Sequence, residues 1–261
     1  MPHSHDTEMT TQAADFSVVE QQYDCYDSEA HDVWRLLYER RMATLHETGS
    51  EVFLSGMALI GLEPDRVPDL REVNRALRSM TGWAAVGVGG FLPAAQFFRS
   101  LSRRRFPTTL AVRPRAQLDY LPEPDIFHDV FGHVPLHAHR AFADFLQEFG
   151  ALASQAETEE ETTAMARLFW FTVEFGLVHE GGRTRIYGSG LISSQGDAAN
   201  ALGPACERRP FSLRAVLAQP FEIDRLQDVL FVVDSFDQLF EAVAELRARR
   251  EAGLSLLASG S

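Results

Sequence analysis

The eleven residues Leu168–Val178 read LFWFTVEFGLV and contain one charge, Glu174. A run this apolar belongs in the interior of a folded chain. A carboxylate carried inside is costly unless it meets a cation, hydrogen-bond donors or a metal ion. Any fold open to this chain must therefore bring Glu174 a partner from elsewhere in the sequence. One candidate is a guanidinium, since the chain has 24 basic residues and every one is Arg. The other is a metal ion shared with histidines.

Four of the nine His residues fall in Tyr120–Arg140, YLPEPDIFHDVFGHVPLHAHR. Pro124 suits a first helical turn, and the helix should run through His128. His128 and His133 are five positions apart, so on a continuous α-helix they would point about 140° away from each other. Gly132 and Pro135 are expected to end the helix between them and to re-aim His133 toward His128. With Glu174 as third ligand, the set becomes two histidines and one carboxylate, which leaves one face of an ion open and suits non-haem Fe(II). The spacing is not that of the H-E-x-x-H zinc motif, which needs i, i+4 on one helical face. Satisfied core histidines and an Arg–Glu174 ion pair are the competing readings. A His133–His137 pair is a further conceivable ligand arrangement.

Around these segments the pattern predicts a mainly α protein with short β-strands. It predicts one domain over 17–257, between polar tails at 1–16 and 258–261 that should be disordered. Residues 28–47 place Val33, Leu36, Leu37 and Leu45 on roughly one face. Asp69 with Glu72, and Ser235 with Gln238, read as capping boxes for helices that stop before Gly82 and near Gly253. Pro93 suits the first turn of a helix carrying Phe97, Phe98 and Leu101. Further helices are expected over 139–154 and 161–178, and strands over 109–113, 184–191 and parts of 219–234. The acidic run Glu157–Glu161 reads as a helix start. The acid-free set Arg99, Arg103, Arg104, Arg105, Arg113 and Arg115 reads as mostly solvated.

Composition removes several function classes. Without Lys there is no Schiff base, no pyridoxal phosphate anchor and no Walker A motif. A net charge of −13 disfavours nucleic acid or an anionic membrane as partner. Cys25 and Cys206 form no CxxC motif and suit a reducing cytosol. The first sixteen residues lack a signal-peptide core, and the longest near-apolar run, Trp83–Ala95, is too short to span a bilayer. The expectation is a cytoplasmic protein that binds neither nucleic acid nor membrane.

Six blocks carry a resemblance: TGW at 81–83, RRFP at 104–107, LDYLPEPDIFHDVFGHVPL at 118–136, FWFTVEFGLV at 169–178, YGSGLISS at 187–194 and DSFDQLF at 234–240. Together they resemble the pterin-dependent aromatic amino acid hydroxylases, in particular the short bacterial phenylalanine hydroxylases, over roughly Val33 to Phe240. The resemblance implies an Fe(II) monooxygenase that uses tetrahydrobiopterin and O2 to hydroxylate the ring of L-phenylalanine, by default to L-tyrosine. It implies His128, His133 and Glu174 as iron ligands and Arg113 as the fork for the substrate carboxylate. It places Gly89, Gly90, Phe91 and Leu92 along the pterin edge, Phe97 stacked on the pterin and Asp129 near it. Tyr120, Leu121, Pro124, Trp170, Gly190 and Ser193 match the substrate-pocket wall. A chain of catalytic-domain length, without the family's regulatory and oligomerisation segments, is expected to be a monomer acting on a small aromatic amino acid.

The chain also departs from the pattern. His137-Ala138-His139 replaces the usual continuation after HVPL. Ser189 stands where Ala is usual, Phe169 where Tyr is common, and Gln195-Gly196 where Lys and Ser often follow the double serine. Ser189 is expected close to the substrate wall, which keeps open meta-tyrosine as product or Trp as substrate, since ~1–3 kcal/mol switches such preferences. A zinc hydrolase built on the His-rich segment is a more distant alternative.

Overall fold

The structure, a computed structural model, describes residues 17–90, 92–119 and 123–257. The tails expected at 1–16 and 258–261 lie outside the described residues, as do Phe91, Tyr120 and Leu121.

Helices form where the sequence supplies a cap and an apolar stripe. In α1 (Ser28–Thr48) the Asp27 side chain caps the Ala30 N–H, and Val33, Trp34, Leu37, Arg41 and Leu45 are buried. Leu36, expected on that face, is only half-buried. A second helix, α2 (Glu51–Leu59), is capped by Ser50. It was not expected, because EVFLSGMAL lacks a clear polar face. In α3 (Leu70–Met80) Asp69 caps as predicted, but Glu72 pairs with Arg66 at 2.9 Å and does not close a box. A parallel pair follows, β1 (Ala84–Val88) and β2 (Arg105–Thr109), linked through α4 (Ala94–Ser102) with Pro93 as its cap.

Beyond the histidine segment come α5 (Arg140–Ala153) and α6 (Glu159–Phe169). The acidic run does start a helix: Thr158 and Glu161 close a reciprocal capping box. The helix expected over 161–178 stops early, however, and the chain enters β3 (Leu177–Glu180), which turns into β4 (Arg183–Ile186). Next are α7 (Ser189–Ser193), α8 (Gln195–Leu202), β5 (Glu207–Pro210), α9 (Leu213–Ala218), β6 (Val229–Val233) and α10 (Asp237–Glu251). The cap of α10 differs from the expected box, because the Gln238 side chain accepts from Asp234 N.

The second sheet has the order β4-β3-β6-β5, antiparallel in the β3–β4 hairpin and parallel elsewhere. The expected strand over 109–113 lies just past the observed β2. The expected strand over 184–191 ends at Ile186, after which the chain turns into α7. Short strands wedged among helices lack the long alternation that marks a half-exposed sheet.

The core is rich in aromatics, with Trp34, Trp83, Phe53, Phe106, Phe127, Phe131, Phe142 and Phe145 at or below 1% exposure. Arg104, expected to be solvated, instead ties α4 to α5, bonding Thr81 O, Gln147 and Asp144 at 2.5–2.7 Å. The layer holding β2, α7 and the two segments between α-helices described next is where the site forms.

Candidate active site

Phe127–His133 is a π-helical turn that passes directly into a 3-10 turn, Val134–Ala138. The helix end expected at Gly132 therefore does not occur. The chain widens instead to an i→i+5 bonding pattern, which stacks residues five apart on one face. His128 and His133 meet in this way, with ring centroids 5.1 Å apart. The local causes are readable. Asp125 starts the turn by accepting the His128 N–H at 3.1 Å, and Pro135 has no N–H with which to continue an α-ladder. Gly132 is needed because α7 comes so close: a Cβ there would lie 3.0 Å from the Ser189 carbonyl oxygen and 3.2 Å from its Cβ. Pro124 precedes the turn and is exposed, not part of a first helical turn.

A second π-helical turn, Trp170–Glu174, delivers the carboxylate. Glu174 Oε1 lies 3.1 Å from His133 Nε2, and Oε2 lies 3.7 Å from His128 Nε2. Ligand atoms of the three residues all fall within 4.8 Å of one another. Burial pushes the Glu174 pKa up, but the His133 charge and hydrogen bond, then His128 and the Ser189 hydroxyl, outweigh it and hold the carboxyl at about 2. No guanidinium pairs with Glu174 among the described residues, so the Arg salt-bridge reading is not what the fold adopts.

The two histidines of the cluster are held from behind. Ser193 Oγ donates to Ser189 O at 2.8 Å and lies 2.9 Å from His128 Nδ1. A hydroxyl has one hydrogen. With it committed to Ser189 O, Ser193 Oγ is left to accept from Nδ1, and Nε2 is the ring nitrogen that faces Glu174. His133 packs against the Phe106 ring at 4.6 Å. The α7 segment is itself anchored by buried Arg41, which donates to Ile192 O at 2.6 Å and Leu191 O at 3.0 Å. Burial lowers the Arg41 pKa to about 10, and these last carbonyls of a short helix are acceptors for a cation that has no carboxylate partner among the described residues.

The other expected residues fall into place unevenly. Arg113 is largely buried, and its Nε and one terminal nitrogen grip Asp125 at 2.8 and 2.9 Å, leaving its end-on edge for another anion. Asp129 is buried and accepts Thr109 N at 2.6 Å, so it ties β2 to the turn, and burial raises its pKa. Gly89 and Gly90 form an exposed bend after β1, where Gly90 has φ +153 and open space around it. Leu92 and Phe97 are half-buried beside that bend, and the Phe97 ring meets Phe106 and Phe169, both of which touch His133. Trp170 stacks on Phe221 at 4.5 Å and packs on Phe175, which also crowds Gly190. Ser193, expected in the pocket wall, sits behind His128. Ser189, also expected near that wall, has 0% exposure and points at Glu174.

His137 is not a ligand. It is fully buried, stacks on Trp83 at 4.5 Å, and neither ring nitrogen has a hydrogen-bond partner among the described residues. His139 stands at the N-cap position of α5 without a side-chain capping bond, and its ring meets Ser55 Oγ at 3.1 Å. The sequence reading missed Asp125, Phe106, Arg41 and the role of Ser189. Only Asp125 carried a usable signal, an acid three residues before His128 in N-cap position.

The fold and site thus define a mainly helical protein with a two-histidine, one-carboxylate facial set, open on the His128 side, where side-chain exposure reaches 23% against 4% at His133. The family model described as biopterin-dependent aromatic amino acid hydroxylase matches residues 6–252, and the chain belongs to that family. It is 41% identical over 233 residues to the phenylalanine-4-hydroxylase of Chromobacterium violaceum, covering 89% of this chain and 78% of that one. It is 42% identical over 231 residues to the phenylalanine-4-hydroxylase of Mesorhizobium japonicum, covering 88% and 83%. A crystal structure of the Chromobacterium violaceum enzyme with bound iron(III) and 7,8-dihydrobiopterin superposes with a TM-score of 0.85 at 38% identity, covering 95% of this chain and 92% of that one. Membership in a hydroxylase family leaves no ground for the zinc hydrolase alternative. No helix among the described residues is long and apolar enough to cross a membrane.

Proposed function

We propose that the protein is an iron- and tetrahydrobiopterin-dependent monooxygenase that hydroxylates L-phenylalanine to L-tyrosine, with residues 17–257 as one catalytic unit. The observation that carries it is the convergence of one ring nitrogen each of His128 and His133 and one Glu174 carboxylate oxygen within 4.8 Å. The donor set fits iron: two neutral imidazoles and one carboxylate leave a divalent ion at net +1 with open positions on one face. The bend at Gly89–Gly90 and the half-buried Phe97 ring fit a flat heterocycle beside it.

When bound, iron and the reduced pterin supply the electrons and the oxygen activation. The chain's own groups hold and orient. Ser193 keeps the proton of His128 on Nδ1, so that Nε2 can ligate. Glu174 stays ionised through neutral pH. The free edge of Arg113 receives the substrate carboxylate, while Asp125 fixes the guanidinium plane. Phe97 supplies a stacking face, and Trp170 with Phe175 walls the substrate ring from water. No protein acid or base is assigned to the ring attack. The Ser189 hydroxyl faces Glu174, and phenylalanine with C4 attack is the reading retained. The same reading has the protein act as a monomer in the cytoplasm, and sedimentation velocity checks the first of these.

The test supplies Fe(II), tetrahydrobiopterin, O2 and either L-Phe or L-Trp, and identifies the product by NMR. The expected product is para-tyrosine from Phe. Glu174→Ala should retain its fold by circular dichroism, lose stoichiometric iron and lose turnover. Full activity in that variant would sink the ligand assignment.

A further inference from the structure

Ser189 begins α7 with its side chain fully buried and directed at Glu174. Its hydroxyl donates to Glu174 Oε2 at 2.8 Å, with Val173 O as a longer alternative at 3.3 Å. Its carbonyl accepts the Ser193 hydroxyl at 2.8 Å, and Ser193 meets His128 Nδ1 at 2.9 Å. One residue therefore touches the carboxylate arm through its side chain and a histidine arm through its backbone. Gly132, one position before His133, makes the approach possible, since a side chain there would strike Ser189.

We propose that Ser189 is a positioning residue for the metal: its hydroxyl fixes the orientation of the Glu174 carboxylate by holding Oε2, leaving Oε1 free for the ion. A glutamate side chain rotates about several bonds, and holding one oxygen removes that freedom before the ion arrives. Groups that hold a ligand from behind typically contribute 10–100-fold to metal affinity. The assignment rests on the reading that His128, His133 and Glu174 hold the ion.

The experiment titrates Co(II) into metal-free protein and follows its visible absorption, for wild type, Ser189→Ala, Ser189→Gly and Glu174→Ala. Wild type should bind one equivalent and Glu174→Ala should not. Ser189→Ala should bind with a Kd roughly tenfold weaker and shifted absorption bands, while the melting temperature of the metal-free protein stays near that of wild type. Ser189→Gly removes the same hydroxyl and should weaken binding similarly. If wild type fails to bind, or Glu174→Ala binds like wild type, the ligand assignment itself fails. If those two behave as expected but the Ser189 variants bind like wild type with unshifted bands, Ser189 does not position the carboxylate. A lowered metal-free melting temperature with unchanged Kd, or failure of both variants to fold, gives Ser189 a structural role only and overturns the proposal.

Discussion

Arg113 joins a buried ion pair to the substrate-binding role proposed for it above. Asp125 takes the Nε edge of its guanidinium, and the pair is 10% and 3% exposed. Asp125 also accepts the Arg113 and His128 backbone N–H groups at 3.1 Å, so it links the candidate substrate fork to the first candidate metal ligand. Arg113→Lys keeps the charge but loses the planar fork. It should raise the KM for phenylalanine by more than about tenfold, the effect of losing one charge-assisted hydrogen bond, with kcat less affected. An unchanged KM in steady-state kinetics would remove Arg113 from the substrate site. Asp125→Ala should do more, because it strands a buried cation and uncaps the turn. A stability loss of about 3–5 kcal/mol in urea unfolding is expected. Residue types with costly burial were the legible part of the site. Glu174 in an apolar run and two histidines flanking Gly132 announced themselves by chemistry alone. Ser189 and Arg41 did not, since serine and arginine carry no such cost at the surface, and only tertiary placement gives them work.

At the scale of elements, the site is made by two departures from the α-helix. Both Phe127–His133 and Trp170–Glu174 are π-helical turns at the ends of apolar segments. From the spacing alone, an α-helix cannot bring His128 and His133 together, and a helix break at Gly132 is the expected way out. The physical constraint was right and the solution was different. A glycine can be read as a stop or as a place of close approach, and the neighbour that decides, α7, lies some 57 positions further along. Long helices such as α1 and α3 were legible because cap and stripe are local. The strands β1, β3 and β5 were not, because each is four or five residues long and its pairing is set by distant chain. Gly132→Ala tests the close-approach reading. With 3.0 Å to a backbone oxygen, the added methyl must push α7 away. A destabilisation of ~1–3 kcal/mol is expected from overpacking, together with weaker Co(II) binding. An alanine variant as stable as wild type in thermal unfolding would mean that Gly132 is there for backbone freedom and not for space.

Across the whole molecule, an aromatic interior surrounds the site, and His137 is part of it. The imidazole lies between Trp83 and Phe142 and beside Phe106, in the place of one more ring of the core. Burial, and then the charge of nearby His133, push its pKa well below the ordinary value of 6.5. The folded protein therefore holds His137 neutral, while the unfolded chain takes up a proton as pH falls past about 6.5. The unfolded state then binds more protons than the native state, so stability is fully present above that pH and is lost below it. One such group contributes a slope of at most ~1.4 kcal/mol per pH unit. His137→Phe keeps a ring against Trp83, removes two buried nitrogens without protein partners, and cannot be protonated. It should leave stability at pH 7.5 equal or higher and should flatten the decline between pH 6.5 and 5 relative to wild type. Parallel slopes for the two proteins in urea unfolding would show that other groups set the acid limit of this fold.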